Sequence, residues 1–168
     1  MNFIGRTEEI KKLNKIINSN EFSFSLIFGR RRVGKSELIK HVIKQSDTIK
    51  IYYECKAVSE LSNVSGLSDI LSEEFNLPKL NFDNIESILK YIFELSKKQK
   101  IILVLDEYPY LRNSVEGMDS ILQALIDKYK DSSKLSFLIL GSYIDVMRSL
   151  LLHSNPLYGR VDLTIELK

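Results

Sequence analysis

The residues Gly29-Arg30-Arg31-Arg32-Val33-Gly34-Lys35-Ser36 follow the pattern G-x-x-x-x-G-K-[ST], the Walker A signature of a phosphate-binding loop. Glycine at positions 29 and 34 lets the main chain approach a phosphate in conformations closed to other residues. Successive N–H groups then line an anion nest at the positive end of the helix that follows. Lys35 is spaced to reach the β- and γ-phosphates, and the Ser36 hydroxyl suits Mg²⁺, a hard cation that takes oxygen ligands. The candidate nucleotide-binding set is therefore Gly29, Arg30, Arg31, Arg32, Val33, Gly34, Lys35, Ser36 and Glu37. The three arginines keep two readings open, attraction of a polyphosphate or plain exposure to solvent.

A second element, Ile101-Ile102-Leu103-Val104-Leu105-Asp106-Glu107, reads as a buried strand ending in two acids, the Walker B arrangement. A parallel strand beside the loop strand would bring Asp106 to the metal with Ser36, usually through water. Glu107 would stand nearer the γ-phosphate and polarise the attacking water. Two acids at a strand end also suit a solvated turn, but downstream of such a loop the catalytic reading prevails. No [NT]-K-x-D element follows the acidic strand, which favours ATP over GTP. A third strand ends at Gly141-Ser142, where Ser142 either senses the γ-phosphate or caps the next helix. The turn Asn155-Pro156-Leu157-Tyr158-Gly159-Arg160 ends in an arginine. Arg160 either serves as a finger to a γ-phosphate, often that of a neighbouring subunit, or pairs structurally with an acid.

These residues need a scaffold, and the chain alternates in a way that supplies one. Apolar β-type runs stand at 24–28, 49–53, 101–105, 135–140 and 161–167. Helical spacing fills the intervals. The pattern predicts helices from Thr7 as N-cap, with Ile10, Leu13 and Ile17 on one face, and from Gly34 to about Ser46. It predicts others at about 66–75, from Asp83 (with Glu86 at capping-box spacing), at 118–129 and at 145–152. Alternating strands and helices imply βαβ units and a mostly parallel α/β sheet. In such sheets ligands bind beyond the carboxyl ends of the strands, where Gly29, Asp106 and Ser142 fall.

Composition bounds the rest. The 168 residues carry 24 Lys+Arg and 22 Asp+Glu, a net charge of +2, and are 44% hydrophobic. That is one globular domain, residues 1–168, with too weak a charge to argue for nucleic acid by itself. No apolar run approaches membrane length and the first residues are not a signal peptide, so a cytoplasmic location is expected. The single cysteine, Cys55, excludes an intrachain disulfide and has no base near it in sequence. His41 and His153 are far apart and make no zinc pattern. Tyr52, Tyr53, Tyr91 and Tyr129 read as packing residues with peripheral hydroxyls, and Lys97, Lys98 and Lys100 as a solvated helix end. Tyr108 and Tyr110 either position the nucleotide loop or cover the sheet end.

Taken together, the chain resembles the prokaryotic archaeal-type ATPase family, a branch of the AAA+/STAND-like P-loop ATPases. The resemblance rests on Phe3-Ile4-Gly5-Arg6-Thr7-Glu8, the Gly29–Ser36 loop, Asp106-Glu107-Tyr108-Pro109-Tyr110-Leu111, Gly141-Ser142 with Met147, and Pro156-Leu157-Tyr158-Gly159-Arg160. It implies a three-layer sandwich with a five-stranded parallel sheet ordered 5-1-4-3-2. It implies an Mg²⁺-dependent ATPase core in which Lys35, Glu107, Ser142 and Arg160 are catalytic and Ser36 and Asp106 hold the metal. It also implies that Phe3, Ile4 and Arg6 wall the adenine. Members of the family continue into a helical lid and further domains, so the chain is expected to be a core fragment with weak affinity and slow turnover. A homo-oligomer through Arg160 and DNA contacts through missing domains are the expected partners beside nucleotide. The alternative activities are a nucleotide-binding signalling switch with negligible turnover and a DNA-associated ATPase.

Overall fold

The structure, a computed structural model, describes residues 5–168. The helices are α1 (Thr7–Ile17), α2 (Lys35–Lys44), α3 (Glu60–Phe75), α4 (Ile85–Leu95), α5 (Tyr108–Ser114), α6 (Met118–Tyr129) and α7 (Ile144–Ser149). The strands are β1 (Ser23–Gly29), β2 (Ile49–Glu54), β3 (Ile101–Asp106), β4 (Leu135–Gly141) and β5 (Leu163–Leu167). All pairings are parallel, in the order β2-β3-β4-β1-β5, the expected order read from the other edge. The acidic strand β3 is not beside the loop strand β1, as the motif alone led us to expect, because β4 lies between them.

Strand alternation divides the side chains into two cores. Ile27, Ile102, Val104, Leu138, Leu140, Ile165 and Leu167 pack against Leu13 and Ile17 of α1 and Leu38, Ile39, Val42 and Ile43 of α2. The opposite face of the sheet packs against α3 to α7. The result is three layers, and every residue of β1, β3 and β4 is buried. Strands covered on both faces are largely apolar, which is why 101–105 and 137–140 are continuous hydrophobic runs, while β1 and β4 admit only the small buried polar residues Ser23, Ser25 and Ser136. Aromatic rings fill the thicker layer. Phe24 meets Phe137 at 5.3 Å between centroids and Phe93 stacks on Tyr129 at 5.2 Å.

Helix starts differ from expectation where competing caps exist. Helix α1 begins at Thr7 itself, after Arg6 and without a side-chain cap. Helix α3 starts six residues before Gly66, because the Ser59 side chain accepts from the Ser62 amide. Gly66 is interior, and a Cβ there would stand 2.7 Å from the Tyr53 ring. The capping box of α4 is Asn84 with Ser87, one residue beyond the Asp83–Glu86 pair. Helix α7 is shorter than expected, and β5 starts two residues later than its apolar run. The main omission from the sequence reading is α5, which turns directly out of the acidic strand with Pro109 in its first turn.

Among the described residues no helix is long and apolar enough to cross a membrane. The lysine run is also not uniformly solvated. Lys97 pairs with Glu94 at 3.1 Å, whereas Lys100 is partly buried and donates to Ser136 Oγ at 2.6 Å. Burial lowers the Lys100 ammonium to about 8. An unfolded-chain lysine titrates near 10.4, so between these values the unfolded state binds more protons and stability rises with pH. Urea denaturation from pH 7.5 to 9.5, below most tyrosine ionisation, is expected to show this rise. Lys100→Met is expected to flatten it.

Candidate functional site

The carboxyl ends of β1, β4 and β3 lie side by side, and each ends in a residue the site uses. After β1 the chain turns through the glycine-rich loop. Arg32 (φ 65°) and Gly34 (φ 101°) both take left-handed conformations, as an anion nest requires. Gly29 is needed for a different reason, since a Cβ there would lie 2.5 Å from the Leu167 carbonyl oxygen of β5. Lys35 begins α2, is only 5% exposed, and donates from Nζ to the Arg30 carbonyl at 3.0 Å. Burial lowers its pKa, and the charges of Glu107 and Asp106 oppose that shift. Val33 packs against Gly29 across the loop and its amide donates to the Arg30 carbonyl at 3.3 Å.

Asp106 is the junction of the site. Its parity on β3 matches Ile102 and Val104, so it faces the α2 side, where Ser36 stands on the first helical turn. Ser36 Oγ donates to Asp106 Oδ2 at 2.6 Å. The Tyr52 hydroxyl, from the same face of β2, donates to the same oxygen. The other oxygen, Oδ1, accepts the Glu107 amide at 2.8 Å. Hydrogen bonds to an ionised group contribute about 1.5–3 kcal/mol each, so the carboxylate is held from three elements. Burial and this bond push the Tyr52 phenol far above its ordinary range. Its hydroxyl is therefore part of the site and not a peripheral group.

Glu107 follows in a left-handed conformation (φ 55°, ψ 48°), which costs a non-glycine residue about 1–3 kcal/mol. The turn separates the two acids: Asp106 remains with the sheet while Glu107 opens α5. Ser142 Oγ donates to Glu107 Oε1 at 2.6 Å. Glu107 Oε2 is buried and has no hydrogen-bond partner among the described residues. Ser142 does not cap α7, whose N-cap is Tyr143 without a side-chain bond. Gly141 allows the close packing beneath, since a Cβ would lie 2.6 Å from Met147 Sδ and 3.1 Å from Pro109 Cδ.

These groups line a cleft of about 320 Å³ that includes Lys35, Ser36, Glu54, Glu107, Tyr110 and Ser142. The loop residues Arg31, Arg32, Gly34 and Glu37 complete its wall. A larger cleft of about 510 Å³, bounded by Arg112, Asp119 and Asn155, lies elsewhere. Its acid is already engaged: Asp119 accepts from Tyr108, Arg112 and Asn155. Tyr108 thus belongs to the packing under α5, whereas Tyr110 belongs to the cleft.

Two of the expected site groups lie apart from this cluster. Arg160 stands before β5, and Leu163 of β5 registers with Ser25 near the start of β1, so Arg160 is at the opposite end of the sheet from the loop. Its guanidinium pairs with Asp127 at 2.8 Å through Nε and Nη2, and Nη1 donates to the carbonyls of Pro156 and Tyr158. It cannot reach a phosphate on the loop of its own chain. Arg6 donates to the Lys168 carbonyl at 3.0 Å and does not line the cleft. Phe3 and Ile4 lie outside the described residues.

Among the described residues no cluster of three His, Cys, Asp or Glu could hold a metal by itself. What stands at the site is the Ser36 hydroxyl on the cleft wall and, behind it, the buried Asp106 carboxylate, with their oxygens 2.6 Å apart. This all-oxygen pair fits Mg²⁺, which is commonly held by one or two protein oxygens with phosphates and water completing its shell.

A glycine-rich loop, a buried lysine and a strand-end acid pair on a 2-3-4-1-5 parallel sheet define a nucleotide-binding P-loop ATPase core. The chain belongs to a family of ATPase domains predominantly from Archaea, whose model matches residues 3–168. An uncharacterised protein of Methanocaldococcus jannaschii is 30% identical over 167 residues, which is 99% of this chain and 36% of that protein. The chain therefore spans about a third of that relative's length. A Walker-type ATPase of Pyrococcus abyssi superposes with a TM-score of 0.69 at 21% identity, covering 99% of this chain and 54% of that one. The ORC2 protein of Aeropyrum pernix, in ADPNP–ADP complexes, gives 0.70 at 15% identity, covering 98% and 48%. At these identities the shared property is the fold.

Cys55, at the end of β2, is 2% exposed. Burial raises its thiol well above the usual range, and the charges of Asp106 and Glu107 raise it further. It is a packing residue and not a nucleophile. Native protein is expected to react with iodoacetamide at pH 8 orders of magnitude more slowly than the chain in denaturant. Rapid labelling of the native protein would contradict this placement.

Proposed function

We propose that the chain binds ATP with Mg²⁺ and hydrolyses its terminal phosphoanhydride, the energy being used to change the conformation of domains beyond this core. The observation that carries this reading is Glu107. Its Oε1 is held by Ser142, its buried Oε2 has no hydrogen-bond partner among the described residues, and the residue lines the cleft together with Lys35. A free carboxylate oxygen there has the chemistry of a general base, and such a group supplies about 10²–10⁴ in rate.

The roles follow from the donors. The Lys35 ammonium neutralises the β- and γ-phosphates. Ser36 and Asp106 would hold Mg²⁺, which would supply charge neutralisation for the phosphates. Glu107 takes a proton from the attacking water as its oxygen bonds to the γ-phosphorus. The bond from phosphorus to the bridging oxygen then breaks, and ADP leaves with that electron pair. Ser142 acts through Glu107 by fixing its carboxylate, a positioning role in place of direct phosphate sensing. The engagement of every Arg160 nitrogen favours a structural role for that residue over the finger.

The test pairs two variants in the full-length protein. Lys35→Ala is expected to lose nucleotide binding in a Mg²⁺·ATP titration. Glu107→Gln is expected to keep binding and to lose hydrolysis by about 10²-fold or more. Hydrolysis by Glu107→Gln at the wild-type rate would remove Glu107 from the mechanism. Stable retention of ADP after one turnover by the wild type would instead favour a nucleotide-held switch.

A further inference from the structure

Arg31 occupies the third position of the glycine-rich loop, and its partners are unusual for a surface arginine. Its Nη2 donates to the Tyr110 hydroxyl at 2.7 Å and, more weakly, to the Tyr143 hydroxyl at 3.4 Å. The guanidinium carbon also lies 5.8 Å from the centre of the Tyr143 ring. The two tyrosine rings meet edge to face at 5.9 Å. Tyr110 comes from α5, which follows the acidic strand, and Tyr143 follows Ser142 at the end of β4. One side chain therefore ties together the three segments that leave β1, β3 and β4.

No carboxylate pairs with Arg31 among the described residues. The other arginines that form ion pairs, Arg6, Arg112, Arg148 and Arg160, each have one. Both bonds to tyrosine use a single nitrogen. Nε and Nη1 make no hydrogen bond among the described residues, so up to three N–H donors remain for an anion. Arg31 lines the same cleft as Lys35, Glu107 and Ser142. Its charge is close enough to Lys35 to help lower that ammonium's pKa. Three cations, Arg31, Arg32 and Lys35, line this cleft, and none of them forms an ion pair with a carboxylate among the described residues, which makes a site for a multiply charged anion. A guanidinium presents planar paired donors that match phosphate oxygens, which an ammonium does not.

We propose that Arg31 is the residue by which this site distinguishes a nucleoside triphosphate from a diphosphate, contacting the terminal phosphate from a pose set by Tyr110 and Tyr143. The proposal rests on the ATP-site reading above and adds to it. The loop amides serve phosphates common to both nucleotides, and Lys35 spans the β-phosphate they share and the γ-phosphate they do not. Arg31 lines the cleft together with Glu107 and Ser142, the groups assigned above to the reacting end of the nucleotide. The tyrosines are positioning residues: their hydroxyls hold one edge of the guanidinium and leave the other edge for the phosphate.

The experiment is calorimetric titration of the chain with Mg²⁺·ADP and with the Mg²⁺ complex of a non-hydrolysable imido analogue of ATP. Arg31→Ala is expected to weaken the analogue by about tenfold or more and ADP by less than about threefold, as loss of a charge-assisted phosphate contact dictates. Arg31→Lys is expected to recover only part of the loss, because charge without the planar fork is insufficient. The double variant Tyr110→Phe/Tyr143→Phe is expected to fall between wild type and Arg31→Ala in its ratio of the two affinities. An equal effect of Arg31→Ala on both nucleotides, or none, would overturn the assignment. A wild-type ratio in the double phenylalanine variant would overturn the positioning role. Lys35→Ala separates this failure from failure of the site itself. If it leaves binding intact, or if the wild type binds neither nucleotide, the ATP-site reading falls and the Arg31 assignment falls with it.

Discussion

Asp106 accepts hydrogen bonds from the Ser36 hydroxyl, the Tyr52 hydroxyl and the Glu107 amide. Those donors come from α2, from β2 and from the turn into α5. The carboxylate is almost fully buried, and a buried charge is tolerated only where polar groups surround it. Its demand for donors therefore fixes how the loop helix approaches the sheet and how the chain leaves β3. Three elements distant in sequence are held in register by one ionised group.

The consequence for Glu107 is a backbone held where a glutamate would not otherwise rest. With its amide committed to Asp106, the residue takes a left-handed conformation and directs its side chain to Ser142. The local cost is met by the packing of α5, whose Tyr108 and Leu111 are buried in the larger core. Gly141 permits this, since any side chain there would collide with Met147 and Pro109. Sheet parity sends Asp106 to one face while the turn carries Glu107 away from it. Adjacent acids thus obtain different surroundings, one saturated with donors and one with a free oxygen.

The same geometry explains why the cleft is polar and the sheet beneath it is not. The last residues of β1, β3 and β4 are where backbone N–H and C=O groups leave the ladder and become available to a ligand. Arg31, Tyr110 and Tyr143 meet one another from three such exits. Arg160, by contrast, is anchored with Asp127 at the other end of the strands. There it stabilises the turn that delivers β5, and Asp162, just before that strand, accepts the Phe24 amide at 2.8 Å.

Much of this was legible in the residues before any coordinate. The loop motif specifies its own chemistry, because Gly34, Lys35 and Ser36 act through local backbone geometry. The strands β3 and β4 were legible because 101–105 and 137–140 are apolar on both faces, as central parallel strands are, and β1 because its alternating start becomes wholly apolar. Helix starts were less legible, since neighbouring Ser, Asn and Asp residues compete for the same cap and only the backbone angles choose between Asp83 and Asn84. Helix α5 was hidden because Pro109 reads as a turn until Glu107 is seen to reverse the chain. The meeting of Tyr52 with Asp106, of Ser142 with Glu107, and of Arg31 with two tyrosines depends on the pairing of β2 with β3 and the insertion of β4 between β3 and β1. Sequence spacing carries no information on those distances. The residues by themselves determined the chemistry of the loop and the acids. The tertiary structure alone decided which hydroxyl meets which carboxylate, because strand order and register are set by the packing of the whole sheet between its two helical layers.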